Sequence, residues 1–202
     1  MSVSKLILKK IKVYKYEAFT SADFLELGSY KSISKALESL EDDKVIARAM
    51  RGVYYPYKVN KFFGFVEPPN INAVAEAIAR QYNYNFVPSK NYALNIIGIS
   101  NQVPSTYTFI SSGPYKSYKV GMAKIDFKHG TSKEVNGLRY KNLLAIQAIK
   151  ALGINNINSE VKSRIDNFLD EDDKIELRNN NIKITARIYN VLIDIIGSRN
   201  NV

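Results

Sequence analysis

The spacing of apolar residues along the chain predicts many short elements. Leu6, Ile7, Ile11 and Tyr14 recur at helical intervals among Lys5, Lys9, Lys10 and Lys12, which predicts a first helix with a basic outer face. Thr20 or Ser21 stands before Asp23-Phe24-Leu25 as an N-cap for a short helix ending near Leu27-Gly28. Ser29 caps a third predicted helix, with Ile33, Leu37 and Leu40 facing in and Lys31, Ser32, Ser34, Lys35 and Glu38 facing out. Val45 to Arg51 and Val53 to Tyr55 then read as two strands joined around Arg51-Gly52. Helix, short helix, tight turn, helix and two-stranded wing is the order of a winged helix-turn-helix, predicted here over residues 1–60.

Lys61 to Asn70, stiffened by Pro68-Pro69, reads as a linker. Ile71, Val74, Ala75, Ile78 and Ala79 follow with amphipathic helical spacing. Pro88-Ser89 is expected to open a further helix through Ala93, Leu94 and Ile97, stopped by Gly98. Tyr107 to Ile110, Lys116 to Val120 and Lys124 to His129 read as strands, turned by Ser112-Gly113-Pro114 and Gly121-Met122. In the last of them Ile125, Phe127 and His129 share one face, while Lys124, Asp126 and Lys128 share the other. The tail repeats at helical spacing. Leu144, Ala148 and Leu152 form one stripe before Gly153; Val161, Ile165, Phe168 and Leu169 form a second; Ile184, Ile188, Val191, Leu192 and Ile195 form a third. The expected fold class is α+β: an N-terminal winged helix, a small central α/β domain with antiparallel strands, and C-terminal helices. The expected division is 1–60, a linker over 61–70, and 71–202.

Composition narrows the chemistry. The chain has 202 residues, 46% hydrophobic and 24% charged, enough for a true core. It has no cysteine and one histidine, His129. Disulfides, thiolate metal sites, cysteine nucleophiles and multi-histidine metal sites are therefore excluded, and neither a metal nor a cofactor is expected. The run Asp170-Glu171-Asp172-Asp173 reads as a solvated loop, since catalytic carboxylates converge from separated segments. His129 reads as a structural or surface residue. No segment offers the ~18 apolar residues of a membrane span, and Met1 to Lys12 lacks the apolar stretch of a signal peptide. A cytoplasmic protein without catalytic activity, and without a membrane partner, is expected.

The net charge is +10, from 29 Lys plus Arg against 19 Asp plus Glu. Lysine, isoleucine, asparagine and tyrosine all have AT-rich codons, so the distribution of charge is more telling than its total. Residues 1–60 are net +4, residues 61–150 net +7 and residues 151–202 net −1. Recognition helices read bases from their N-terminal turns. Here that surface is Ser29, Tyr30, Lys31, Ser34 and Lys35, with Arg48 and Arg51 on the wing; these seven are the candidate DNA-binding residues. Glu41-Asp42-Asp43 would repel phosphate and is expected to point away. Asn95 and Gln102 are expected to tie loops to backbone. The alternatives are a nucleic-acid-processing enzyme and a protein-interaction module whose winged helix touches no DNA.

The central segment carries a resemblance. Ala75-Glu76-Ala77-Ile78-Ala79-Arg80, Val87-Pro88-Ser89, Ala93-Leu94-Asn95, Gly98-Ile99-Ser100, Gln102-Val103-Pro104 and Ser112-Gly113-Pro114 stand in an order that resembles the AbiEi-type antitoxins, transcriptional regulators of AbiE toxin–antitoxin systems. The likeness covers about Ser21 to Val120, including Arg51-Gly52-Val53-Tyr54 at the end of the wing. It implies a phage-defence protein that represses its own operon by binding double-stranded DNA at operator repeats, and that neutralises a nucleotidyltransferase-like toxin encoded beside it. Whether such a protein touches its toxin directly is left open by the resemblance. The sequence departs from the pattern in a recognition helix without arginine, and in Ser112, where the family often has an acidic residue.

Overall fold

A computed structural model describes residues 2–179 and 184–197, apart from the Lys133 side chain. The last residues of the expected 71–202 region, 198–202, lie outside the described residues. The fold is mixed α+β with two small sheets. By contacts the chain divides into one unit of residues 1–84 with 119–123, and another of residues 85–118 with 124–202.

In the first unit, α1 (Val3–Tyr14) starts at Ser2, whose hydroxyl accepts from the Lys5 amide, and it buries Ile7 and Ile11. β1 (Phe19–Thr20) leads into a 3-10 helix, Ser21–Leu27, through a capping box between Thr20 and Asp23. α2 (Tyr30–Asp42) starts at Ser29 and buries Ile33, Ala36, Leu37 and Leu40 on one stripe. β2 (Ile46–Met50) and β3 (Val53–Pro56) form an antiparallel hairpin, with a bulge between Arg48 and Met50. Its turn needs Gly52, which sits at φ +79°. β1 pairs antiparallel with the far side of β3, giving the order β1-β3-β2. The core is Ile7, Phe19, Phe24, Ile33, Leu37 and Ile46, with Phe19 and Phe24 edge to face at 5.5 Å.

The rest of this unit departs from a plain linker. Val59 and Val66 form a bridge that closes a small hairpin. α3 (Ile71–Tyr82) then packs on β1, β3 and the 3-10 helix. Arg80 fixes it there. Its Nε donates to Asp23 Oδ1 at 2.9 Å, its Nη2 donates to the Ala18 carbonyl at 2.8 Å, and its guanidinium lies over the Tyr16 ring.

The other sheet has four strands in the order β4-β5-β7-β6: β4 (Phe86–Ser89), β5 (Thr106–Ser111), β6 (Lys116–Val120) and β7 (Ala123–His129). Two expectations are corrected here. Pro88 and Ser89 do not open a helix; they lie in β4, and the helix, α4 (Asn91–Ile97), begins after Lys90. Proline is tolerated because β4 is an edge strand. The central strands are also not all antiparallel, because β5 and β7 run parallel, with Thr106 opposite Lys124 and Ser111 opposite His129. β6 lies outside β7, which leaves the edge of β5 for β7.

Among the described residues, five α-helices and a short 3-10 helix (Ile154–Asn156) follow: α5 (Ser132–Val135), α6 (Tyr140–Leu152), α7 (Ser159–Phe168), α8 (Glu171–Arg178) and α9 (Ala186–Gly197). α6 was expected to show one apolar stripe. Instead Asn142 through Ile149 are all buried, because α4, β4, α8 and α9 surround the helix. Asn142 meets this burial by donating to the Asp173 carbonyl at 2.9 Å and to Glu176 Oε2 at 2.7 Å. The acidic run at 170–173 is not a loop either. Asp170 caps α8 and the other three form its first turn, where carboxylates suit the helix dipole. Asp173 is buried and accepts from Arg139 Nε at 2.6 Å.

Candidate nucleic-acid interface

The N-terminal turn of α2 is built by its serines. Ser29 Oγ accepts from the Ser32 amide at 3.3 Å, and Ser32 Oγ donates to the Ser29 carbonyl at 2.8 Å. The preceding Gly28 is in extended backbone, so no left-handed turn demands it. Its role is clearance: a Cβ there would lie 2.8 Å from Ser32 Oγ. With Ile33, Leu37 and Leu40 buried, the opposite stripe is forced outward. Tyr30 is 66% exposed, Lys31 and Lys35 are exposed one turn apart, and Ser34 is half-buried between them. The outer face changes sign along the helix. Lysines occupy its first half, and Glu38, Glu41 and Asp42 its second.

The two hairpin arginines differ sharply. Arg48 donates through Nε and Nη2 to Glu41 Oε2, at 3.0 and 2.5 Å, and lies 5.3 Å from the centre of the Tyr54 ring. The bond it donates to Glu41 raises the guanidinium's pKa above its ordinary value. Arg48 is thus turned toward the acidic end of α2. Arg51 is exposed at the hairpin turn beside Gly52. Among the described residues no ion pair engages Lys31, Lys35 or Arg51. Of the seven candidates, five therefore share the start of α2, Arg51 stands at the hairpin turn, and Arg48 is held apart from both by Glu41.

One surface feature escaped the linker reading. Asn60 organises the hairpin closed by Val59 and Val66. Its Oδ1 accepts from the amides of Phe62 and Phe63 at 3.0 and 3.1 Å, and its carbonyl accepts from Gly64 at 2.8 Å. Phe62, Phe63 and Phe65 stand 94%, 77% and 52% exposed, with Phe63 and Phe65 stacked at 6.0 Å. The signal was present as Phe62-Phe63-Gly64-Phe65, an apolar string that no periodicity assigns to a core.

The remaining candidates are structural. His129 Nδ1 lies 3.0 Å from the Gly113 carbonyl and ties β7 to the turn after β5. Asn95 donates to the Ser100 and Gln102 carbonyls, holding the loop after α4; the Gln102 side chain is exposed rather than buried. Among the described residues no group of three or more His, Asp or Glu is placed to hold a metal ion. Nor, among them, is any helix long and apolar enough to cross a membrane.

These features describe a mixed α+β protein with one basic, exposed helix start and an exposed aromatic hairpin. Residues 6–177 match the model of DUF6088, a family of unknown function, and the chain belongs to that family. No curated protein matches the chain.

Proposed function

We propose that the first unit is a winged helix-turn-helix that binds double-stranded DNA, and that the protein is a transcriptional regulator of the antitoxin type. It represses its own operon at operator repeats and neutralises a nucleotidyltransferase-like toxin encoded beside it; it works in the cytoplasm and carries out no catalysis of its own. The observation that carries this reading is the start of α2. A helix that buries Ile33, Leu37 and Leu40 presents Tyr30, Lys31, Ser34 and Lys35 as one outward stripe. The element order supports it, since α1, the 3-10 helix and α2 precede a hairpin whose second strand, β3, pairs with β1. A recognition helix offers base edges its first turns in the same way. The antitoxin part rests on the resemblance of the central segment.

The test is a gel-shift titration of the full chain on the DNA upstream of its own reading frame, repeated at several salt concentrations. Binding that weakens with salt in the wild type, and that Lys31→Ala with Lys35→Ala reduces without lowering Tm, supports the reading. Equal binding by the double variant removes α2 from the interface. Co-expression with the product of the neighbouring reading frame tests neutralisation: growth must be restored.

A second reading, a protein-interaction module, is favoured by Phe62, Phe63 and Phe65. Monomeric proteins rarely leave three neighbouring phenylalanines in water. An apolar groove of about 570 Å³ lies at the base of their hairpin, lined by Leu8, Ile11, Val45, Tyr55 and Pro68. Loss of neutralisation in Phe62→Ser with Phe63→Ser, with DNA binding kept, would assign the hairpin to the toxin.

A further inference from the structure

The first unit carries a wedge and a slot side by side. The wedge is the tip of the hairpin closed by Val59 and Val66. Hydrogen bonds fix its shape. The Asn60 amide donates to the Phe65 carbonyl at 2.9 Å, the Glu67 amide donates to the Lys58 carbonyl at 2.8 Å, and Asn60 Oδ1 accepts from the Phe62 and Phe63 amides. Gly64, at φ +70°, makes the reversal that brings Phe65 back beside Phe63. Phe62 and Phe63 thereby stand clear of their own unit, at 94% and 77% exposure. The slot is the apolar groove of about 570 Å³ walled by Leu8, Ile11, Val45, Tyr55, Pro56 and Pro68. Lys58 and Glu67 line it too, so the hairpin rises from the groove's edge, yet none of the three phenylalanine rings is among its walls.

Two magnitudes match the wedge to the slot. A cavity of about 150 Å³ holds one benzene ring, so a groove of about 570 Å³ has room for three. The three rings together expose about the area of two whole phenylalanine side chains, roughly 300–500 Å² at ~150–250 Å² each. A standard protein interface takes about 800 Å² from each partner, of which roughly 450 Å² is apolar. The rings alone meet that apolar share. One chain cannot use both features, because the bonds at Asn60 and Lys58 fix the tip outside its own groove. A second copy uses both at once. Under two-fold symmetry each tip enters the other's groove, and the same contact is made twice.

We propose that the groove receives the Phe62–Phe65 tip of a second copy, and that the chain forms a two-fold dimer through two such reciprocal contacts. The proposal does not depend on DNA binding by α2. Charge gives this dimer a signature. Lys12, Lys15 and Lys58 line the groove and Lys61 precedes the rings, against Glu17 and Glu67, which leaves about +2 on each face. The two faces repel, so salt that screens the repulsion strengthens the dimer. An assembly held by phosphate contacts responds in the opposite direction.

Sedimentation equilibrium on the full chain tests this. The wild type should pass from monomer to dimer between about 1 and 100 μM. Its Kd should fall about threefold or more between about 20 and 200 mM sodium chloride. Phe62→Ser with Phe63→Ser should raise the Kd at least tenfold while the circular dichroism of the monomer stays the same. Lys31→Ala with Lys35→Ala should leave the Kd unchanged. The chain has no cysteine, so introduced thiols report position cleanly. A mixture of Phe63→Cys and Val45→Cys chains should form a disulfide-linked dimer on mild oxidation, well in excess of either variant alone. A monomer at every concentration, a Kd that rises with salt, an unchanged Kd in the double phenylalanine variant, or Phe63→Cys chains that link only to one another would overturn the proposal. With a monomeric wild type, loss of DNA binding in the phenylalanine variant would assign the tip to nucleic acid, and loss of neutralisation alone would assign it to the toxin.

Discussion

The contrast between Arg48 and Arg51 offers the sharpest test of the proposed interface. Residue type alone makes them equivalent hairpin arginines, and in space they are not. To reach a phosphate, Arg48 must leave Glu41, whose carboxylate it holds with two nitrogens, and the face of Tyr54. Its side chain is 43% exposed and that of Glu41 29%, so solvent screens the pair, which is worth about 0.2–1 kcal/mol. That cost offsets most of what one phosphate contact returns. Arg51 has no such cost. Each phosphate contact contributes ~0.9 to the slope of log affinity against log salt, or about 3.5-fold in Kd between 50 and 200 mM. Arg51→Ala should therefore lower the slope by about one. Arg48→Ala should lower it by much less, and Glu41→Gln, which frees Arg48 and removes a repelling charge, should tighten binding. Fluorescence anisotropy with labelled operator DNA across that salt range measures all three. An Arg48→Ala slope loss equal to that of Arg51→Ala, or weaker binding by Glu41→Gln, would refute the reasoning.

Three further outcomes are expected. Ile188 on α9 is buried within the second core, so Ile188→Val should cost about 0.5–1.5 kcal/mol, or a few degrees of Tm at roughly 2–4 °C per kcal/mol; Ile188→Asp should abolish cooperative melting, and a normal Tm in that variant would make the residue part of an interface. Phe62→Ser with Phe63→Ser should shift stability by no more than about 0.5 kcal/mol, since both rings are largely exposed, while raising the concentration at which the protein aggregates. The Asp173 backbone amide, with Lys141, lowers the Asp170 carboxyl from 3.8 to about 2. Its contribution to stability is complete above about pH 4 and is lost as the pH falls through 2, so Tm should drop less over that interval in Asp170→Asn than in the wild type.

The elements with one buried stripe were legible from the chain. Ile33, Leu37 and Leu40 predicted α2 and its orientation together, because a helix that buries every third or fourth residue has only one face left for water. The exposed candidates Tyr30, Lys31 and Lys35 followed from the same arithmetic. Ser29 as a cap, a cap at Thr20 or Ser21, and Gly52 at the hairpin turn were equally local, each meeting a backbone need within four residues. The tertiary structure decided whatever depends on a partner distant in sequence. α6 is buried on every side, a fact set by four neighbours and not by its own period. β7 lies beside β5, and parallel to it, with β6 outside, and alternation along a strand does not specify its neighbour. Arg80 belongs to a motif string in sequence, yet in space it locks α3 to Asp23, 57 residues away. Arg48 shows the same rule for charge. The chain dictates that it is cationic; only the fold decides that it meets Glu41, and Coulomb energy follows distance in space rather than along the chain.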